Sequence, residues 1–243
     1  LNDPCFLLEL GRRYLFGKNA QRNEGKGFTL INQAIFKEPS NEYNLSQIIS
    51  FDFAEHIVNP IEEGCLKWGF DEWNRRLVVE GRSLNEDGID FEPQDFSLEL
   101  KYAPGWRKNH GKSIKSIAIC SNVSSIGAFS FADCEILKYV LIPEGVRRLG
   151  YCAFYGCNAL TEVYIPSSVE VIDGNPFVGC WNLESVHVHP DNDLFVVDKS
   201  MLFNKSSNSL IYCPESRSGE LKTLEGVQKI CTGAFRECSK LRE

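Results

Sequence analysis

The phrase Phe-x-x-Cys-x-x-Leu stands at Phe131–Leu137, Phe154–Leu160 and Phe177–Leu183, one copy every 23 residues. Aligned on its cysteine it gives four copies: IGAFSFADC (126–134), LGYCAFYGC (149–157), IDGNPFVGC (172–180) and ICTGAFREC (230–238). Each opens on an aliphatic residue, has a small residue or proline four positions later, then Phe, then Cys three beyond. Leu137, Leu160, Leu183 and Leu241 follow, and behind the first three come the alternating runs LKYVLIP, LTEVYIP and LESVHVH. IKSIAIC at 114–120 is a degenerate earlier copy of such a run. A period of this length, with one leucine-led strand per period, predicts a solenoid of stacked coils. One coil cannot bury its apolar side alone, so neighbouring coils must stack, and their strands form a parallel sheet.

Strand geometry then sorts the residues by face. The first, fourth and sixth residues of each LxxLxL run point into the coil, and the intervening ones point out. The outward set is Ser116 and Ala118, Tyr139 and Leu141, Glu162 and Tyr164, then Ser185, His187 and His189. The cysteine falls where the chain turns off the strand side, a place for a small, polarisable filler with a weak S–H donor. Cys134, Cys157, Cys180 and Cys238 are therefore expected to be reduced structural ladder residues. Cys152 and Cys231 are expected to pack likewise, which leaves Cys5, Cys65, Cys120 and Cys213 of the ten cysteines, with burial the plain reading for those.

Residues 113–243 resemble the BspA-type leucine-rich repeats, through the phrase V-x-x-I-x-x-x-A-F-x-x-C-x-x-L-x-x-V-x-I-P-x-x-V. It is clearest at Val146–Val169, with Leu149 in place of the isoleucine. From Leu183 to Leu241 the spacing breaks, and the intervening LFVVDKSMLFNKSSNSLIYCP reads as two β-rich runs joined by the polar turn NKSSNS, a hairpin inserted near 194–213. The resemblance implies an α/β leucine-rich-repeat solenoid with parallel strands on its concave face. It also implies a bacterial protein at the cell surface or secreted, with a cytoplasmic location as the alternative.

The front of the chain has another grammar. In LELGRRYLFGKNAQRNEGKGFTLINQA (8–34), Leu10, Tyr14 and Leu15, then Phe28, Ile31 and Ile35, recur at helical spacing. Residues 1–37 resemble one Sel-type (tetratricopeptide-like) helical repeat, with Lys26-Gly27 where that family has Lys-Ala. Residues 38–112 read as a mixed α/β junction or N-terminal cap. Within them EEGCLKWGFDEWNRRL (62–77) is expected to be helical, LVVEG (77–81) and FSLELKY (96–102) strands, and NEDGIDFEPQD (85–95) an acidic loop. The segment is expected to bury Trp68 and Trp73.

A net charge of −7 and a pI near 5.3 argue against a nucleic-acid or anionic membrane surface, so no nucleic-acid partner is expected. No apolar run reaches the roughly 18 residues that would insert across a bilayer. There is no P-loop, no GxGxxG and no zinc-spaced CxxC pair, so no catalytic residue, metal or cofactor is assigned. The expected function is a non-enzymatic module binding a protein partner, in interaction or adhesion, through the concave stripe Tyr139, Leu141, Glu162, Tyr164, Ser185, His187 and His189. Two alternatives stand beside it. VHVHPDND places His187 and His189 on one strand face ahead of Asp191 and Asp193, which fits a metal-dependent enzyme; a catalytic site could equally lie in 38–112. The aromatic stripe would also suit carbohydrate. Leu241 opens a new LxxLxL, so the repeats are expected to continue, and the last coil, left uncapped, is expected to self-associate.

Overall fold

The computed structural model describes residues 3–16, 21–37, 57, 60–63, 66–81, 105–119, 123–220 and 226–242. The helical spacing at the front becomes α1 (Pro4–Phe16) and α2 (Glu24–Lys37), with Asn23 capping α2 by accepting the Lys26 amide at 3.0 Å. The two helices pack closely because Gly11 and Gly27 have no side chains. A Cβ on Gly11 would fall 2.7 Å from Ile31, and one on Gly27 2.7 Å from Leu15. A side chain at Gly27 would therefore have to displace Leu15.

The expected helix over 62–77 is not formed. That stretch instead gives β2 (Leu66–Asp71) and the start of β3 (Arg76–Gly81), an antiparallel pair extended by β1 (Ile61–Glu63). Leu66 and Trp68 alternate inward, a period-2 signal that outweighs helical propensity here. The Asp71 carboxylate accepts the amides of Trp73 and Asn74, both at 3.0 Å, which fixes the turn. Trp68 is buried as expected, whereas Trp73 stands at the tip of this hairpin, 97% exposed. The acidic loop and the strand expected at 96–102 lie outside the described residues.

After α3 (Gly105–His110) the coils begin. β4 (Ser116–Ile119) joins β3 in parallel, and β6 (Tyr139–Leu141) joins β4; β5 (Ser125–Ile126) lies between them in sequence, on the other side of the coil. β7 (Arg148–Leu149) and β9 (Val171–Ile172) stack on β5 as a second parallel sheet. On the concave side β8 (Glu162–Ile165) pairs in parallel with β10 (Ser185–Val188), Tyr164 opposite His187.

Between the two sheets runs a column of rings. Trp68 meets Trp106 at 5.9 Å, Trp106 meets Phe131 at 6.0 Å, and Phe131, Phe154 and Phe177 stack at 5.5 and 6.0 Å before Tyr212 closes on Phe177 at 5.6 Å. Trp106 therefore extends the phenylalanine column one place before the repeat begins. The cysteines bind this stack coil to coil. The Cys157 thiol donates to the Phe131 carbonyl at 3.2 Å and the Cys180 thiol to the Phe154 carbonyl at 3.1 Å. Burial pushes both thiols well above their ordinary range, so they stay protonated donors. Cys134, Cys157 and Cys180, at most 1% exposed, are free thiols, as are Cys152, Cys213, Cys231 and Cys238.

The insertion differs in detail from the expected hairpin. Its first β-rich run turns back on itself at Lys199-Ser200, both with positive φ (48° and 66°), and gives β11 (Phe195–Asp198) and β12 (Met201–Asn204). β13 (Ser209–Tyr212) completes the meander and then pairs in parallel with β15 (Lys229–Ile230), doing in its coil what β9 does in the one before. β14 (Gly219–Glu220) pairs in parallel with β16 (Leu241–Arg242). The long interval thus holds two coils and one inserted hairpin.

Candidate binding surface

The outward strand residues form rows across the concave sheet. Arg76, Ser116 and Tyr139 are register partners, as are Val78, Ala118 and Leu141. Both rows lie under the α1–α2 hairpin. Val78, Ala118 and Leu141 share a buried cluster with Leu7, Leu8, Phe28, Ile31 and Ala34. Phe28 stacks on Tyr139 at 5.4 Å, and a Cβ on Gly25 would overlap the Tyr139 hydroxyl. Glu24, at the α2 N-terminus, meets the Lys115 ammonium at 2.6 Å, the Arg76 guanidinium at 3.4 Å and the Ser116 hydroxyl at 3.3 Å. Further along α2, the Thr29 hydroxyl donates to Glu162 at 3.0 Å and the Asn32 amide to the Val140 carbonyl at 3.4 Å. Phe36 sets its ring against Tyr164 at 5.6 Å and against His189 at 5.0 Å. Helix α2 therefore runs across the coils and occupies most of the stripe that the sequence marked for binding.

Each marked residue can be placed. Tyr139 and Leu141 are covered by the helices. Glu162 and Tyr164 are half-buried beneath α2, and the Tyr164 hydroxyl donates to Glu162 at 3.3 Å. Burial, together with that carboxylate, lifts the Tyr164 phenol to about 12. Ser185 is half-buried; His187 is stacked on Tyr164 at 4.5 Å. His189 is buried, and its Nδ1 accepts the Asp191 amide at 3.1 Å, so its neutral form carries the proton on Nε2. That Nε2 is sealed from solvent and has no hydrogen-bond partner. Among the described residues no group of three or more His, Cys, Asp or Glu is arranged to hold a metal ion.

Past the end of α2 the concave face opens. A groove of about 370 Å³ is lined by Phe36, His187, His189, Pro190, Val196 and Lys205, among others. Its far wall is the inserted hairpin, held in place by Asn192. The Asn192 side-chain amide donates to the Pro166 and Val169 carbonyls of the preceding coil, and its oxygen accepts the Leu194 and Phe195 amides. Lys205 donates to the Asn192 carbonyl at 2.8 Å from the hairpin side. Glu24, Phe28, Phe36 and Val196 were not marked by the repeat, because they lie outside its frame. One signal for Phe28 and Phe36 was legible: α2 carries Phe28, Leu30, Ile31, Ala34 and Phe36, more apolar positions than one buried face requires.

Residues 109–242 match the family described as BspA type leucine rich repeat region, in six copies. Among solved structures, the chain is similar to a leucine-rich repeat protein from Eubacterium ventriosum, at 16% identity and a TM-score of 0.46, over 76% of this chain and 59% of that one. It is similar to a leucine rich cell surface protein from Faecalibacterium prausnitzii at 19% identity and 0.36, over 76% and 69%. The pneumococcal vaccine antigen PcpA aligns at 17% identity and 0.36, over 77% and 70%. This chain thus spans less than two thirds of the length of the E. ventriosum protein. No curated protein matches it.

Proposed function

This chain belongs to the BspA-type leucine-rich repeat family, and on that premise we propose that it is a non-enzymatic module that binds a protein partner at the uncovered end of its concave face. The observation that carries the reading is the division of that face by α2. Arg76 to Tyr164 is filled by the chain's own helix, and among the described residues the groove from His187 to Lys205 is an accessible part of the concave surface. The groove mixes apolar walls (Phe36, Val196) with imidazole and ammonium donors, a lining suited to an extended protein segment. The helical hairpin, which resembles a Sel-type unit, acts on this reading as a built-in occupant that holds the concave face in shape. Family membership also supports a place at the cell surface or outside the cell.

The test is a binding-partner selection on the purified chain, repeated with two variants. Val196→Asp with His187→Ala alters the groove; Trp73→Ala alters an exposed ring elsewhere. The reading expects the groove variant to lose the selected partner at least about tenfold in Kd and the Trp73 variant to keep it. Equal binding by the groove variant and the unaltered chain would overturn it.

A further inference from the structure

The cysteine ladder changes character in its last rung. Cys157 and Cys180 are sealed and reach back to phenylalanine carbonyls. Cys238 makes the same backward reach, to the Cys213 carbonyl at 3.5 Å and the Pro214 carbonyl at 3.8 Å, but is only half-buried. The residue it reaches is a second cysteine. Tyr212 supplies the ring that continues the phenylalanine column, which frees position 213 for a small side chain. Cys213 sits with Met201, Leu210 and Ala234 in a small apolar cluster, and Cys238 packs against it. The Cys213 amide donates to the Ala234 carbonyl at 3.0 Å, so the two coils are already held in register where the thiols meet.

We propose that Cys213 and Cys238 form an oxidisable dithiol, which a low-molecular-weight disulfide such as oxidised glutathione converts into a covalent clasp between the hairpin-bearing coil and the coil that follows. The oxidant meets the accessible sulfur first. The contact with Cys213 and burial hold the Cys238 thiol above its ordinary range, so it gives its proton to solvent base as it attacks one sulfur of the glutathione disulfide; the new S–S bond joins Cys238 to glutathione, and one glutathione leaves as thiolate. The Cys213 thiolate then attacks the Cys238 sulfur and expels the second glutathione. Two protein thiols and one glutathione disulfide become one protein disulfide and two glutathione thiols, so protons and electrons balance. The polarity of the pair suits the second step. Once Cys238 carries glutathione it no longer donates to Cys213, and the Arg217 guanidinium is what favours the Cys213 thiolate as resolving nucleophile. Adjacent coils of a parallel stack place neighbouring side chains about 5 Å apart, within the span a disulfide bridges after side-chain rotation.

The experiment treats the full chain with oxidised glutathione, blocks remaining thiols by alkylation, and maps the digest by mass spectrometry. The expected result is a linked pair of peptides carrying Cys213 and Cys238, with Cys134, Cys157 and Cys180 alkylated only after unfolding. Cys213→Ser should stop the reaction at a glutathione adduct on Cys238. A glutathione adduct on Cys238 that persists in the unsubstituted chain, or a link from Cys238 to Cys231, would overturn the proposal. The unsubstituted chain decides the matter alone if the serine variant fails to fold.

Discussion

Leu141 and His187 hold the same position of the repeat, two coils apart, and meet opposite surroundings. Leu141 is sealed beneath α1 and α2 with Ala118 and Val78. His187 lies on Tyr164 and lines an open groove. The repeat dictates which way each side chain points, because alternation along a strand is local. It does not dictate what covers that side chain. Cover comes from a helix more than 100 residues earlier in the chain, pinned by Glu24 to β3 and β4 and by Phe36 near β10.

The inward face sets the scale for breaking this comparison. Phe154→Ala removes the middle ring of the column and should cost about 3–5 kcal/mol, read from denaturant midpoints. Leu141→Ala should cost about 2–4 kcal/mol although it points outward, while His187→Ala stays within about 1 kcal/mol. Equal costs at 141 and 187 would mean that the helices do not cover the first. Glu24→Ala breaks a half-buried charge network and should cost about 2–3 kcal/mol, with the loss confined to the helices and the first coils in a site-resolved melt.

A pH-dependent effect lies on the uncovered half. Glu215 is buried, with Oε1 accepting the Gly179 amide at 2.6 Å and Oε2 unpartnered, and burial lifts its carboxyl from 4.5 to about 7. A carboxyl that ionises less readily in the folded chain contributes stability that is complete below about pH 4.5 and lost as pH rises through about 7. The chain should therefore be about 1–2 kcal/mol less stable at pH 8 than at pH 4.5 from this group, and Glu215→Gln should flatten that difference. An unchanged slope between the two denaturation midpoints would exonerate Glu215.

What the sequence revealed follows the same division. The coil frame, the inward phenylalanines, the cysteine donors and the outward set were legible because each recurs at a fixed interval. Trp68 and Trp106, which extend the ring column backward, were not legible as such, because they reach it from elements with no period. Asp71 hid a hairpin inside a stretch that reads as a helix, since its turn is fixed by a side-chain bond that a hydrophobicity pattern does not carry. The run at 194–203 hid a second turn, because Lys199-Ser200 lacks the Asn-Gly chemistry that usually announces one. For the marked binding residues the repeat carries a direction along each strand, while what covers them comes from α2, outside the repeat.

Gly25 offers the most direct test of whether α2 occupies the concave face. Leucine is the better helix former by about 0.8–1 kcal/mol, so in an undocked hairpin Gly25→Leu would strengthen α2. Against Tyr139 the same side chain has no room. Amide hydrogen exchange on the full chain therefore separates the two arrangements by sign. The docked arrangement predicts that amides from Phe28 to Lys37 exchange about tenfold faster or more in Gly25→Leu, with those of Val163 and Phe177 unchanged. Equal or slower exchange along α2 would contradict it.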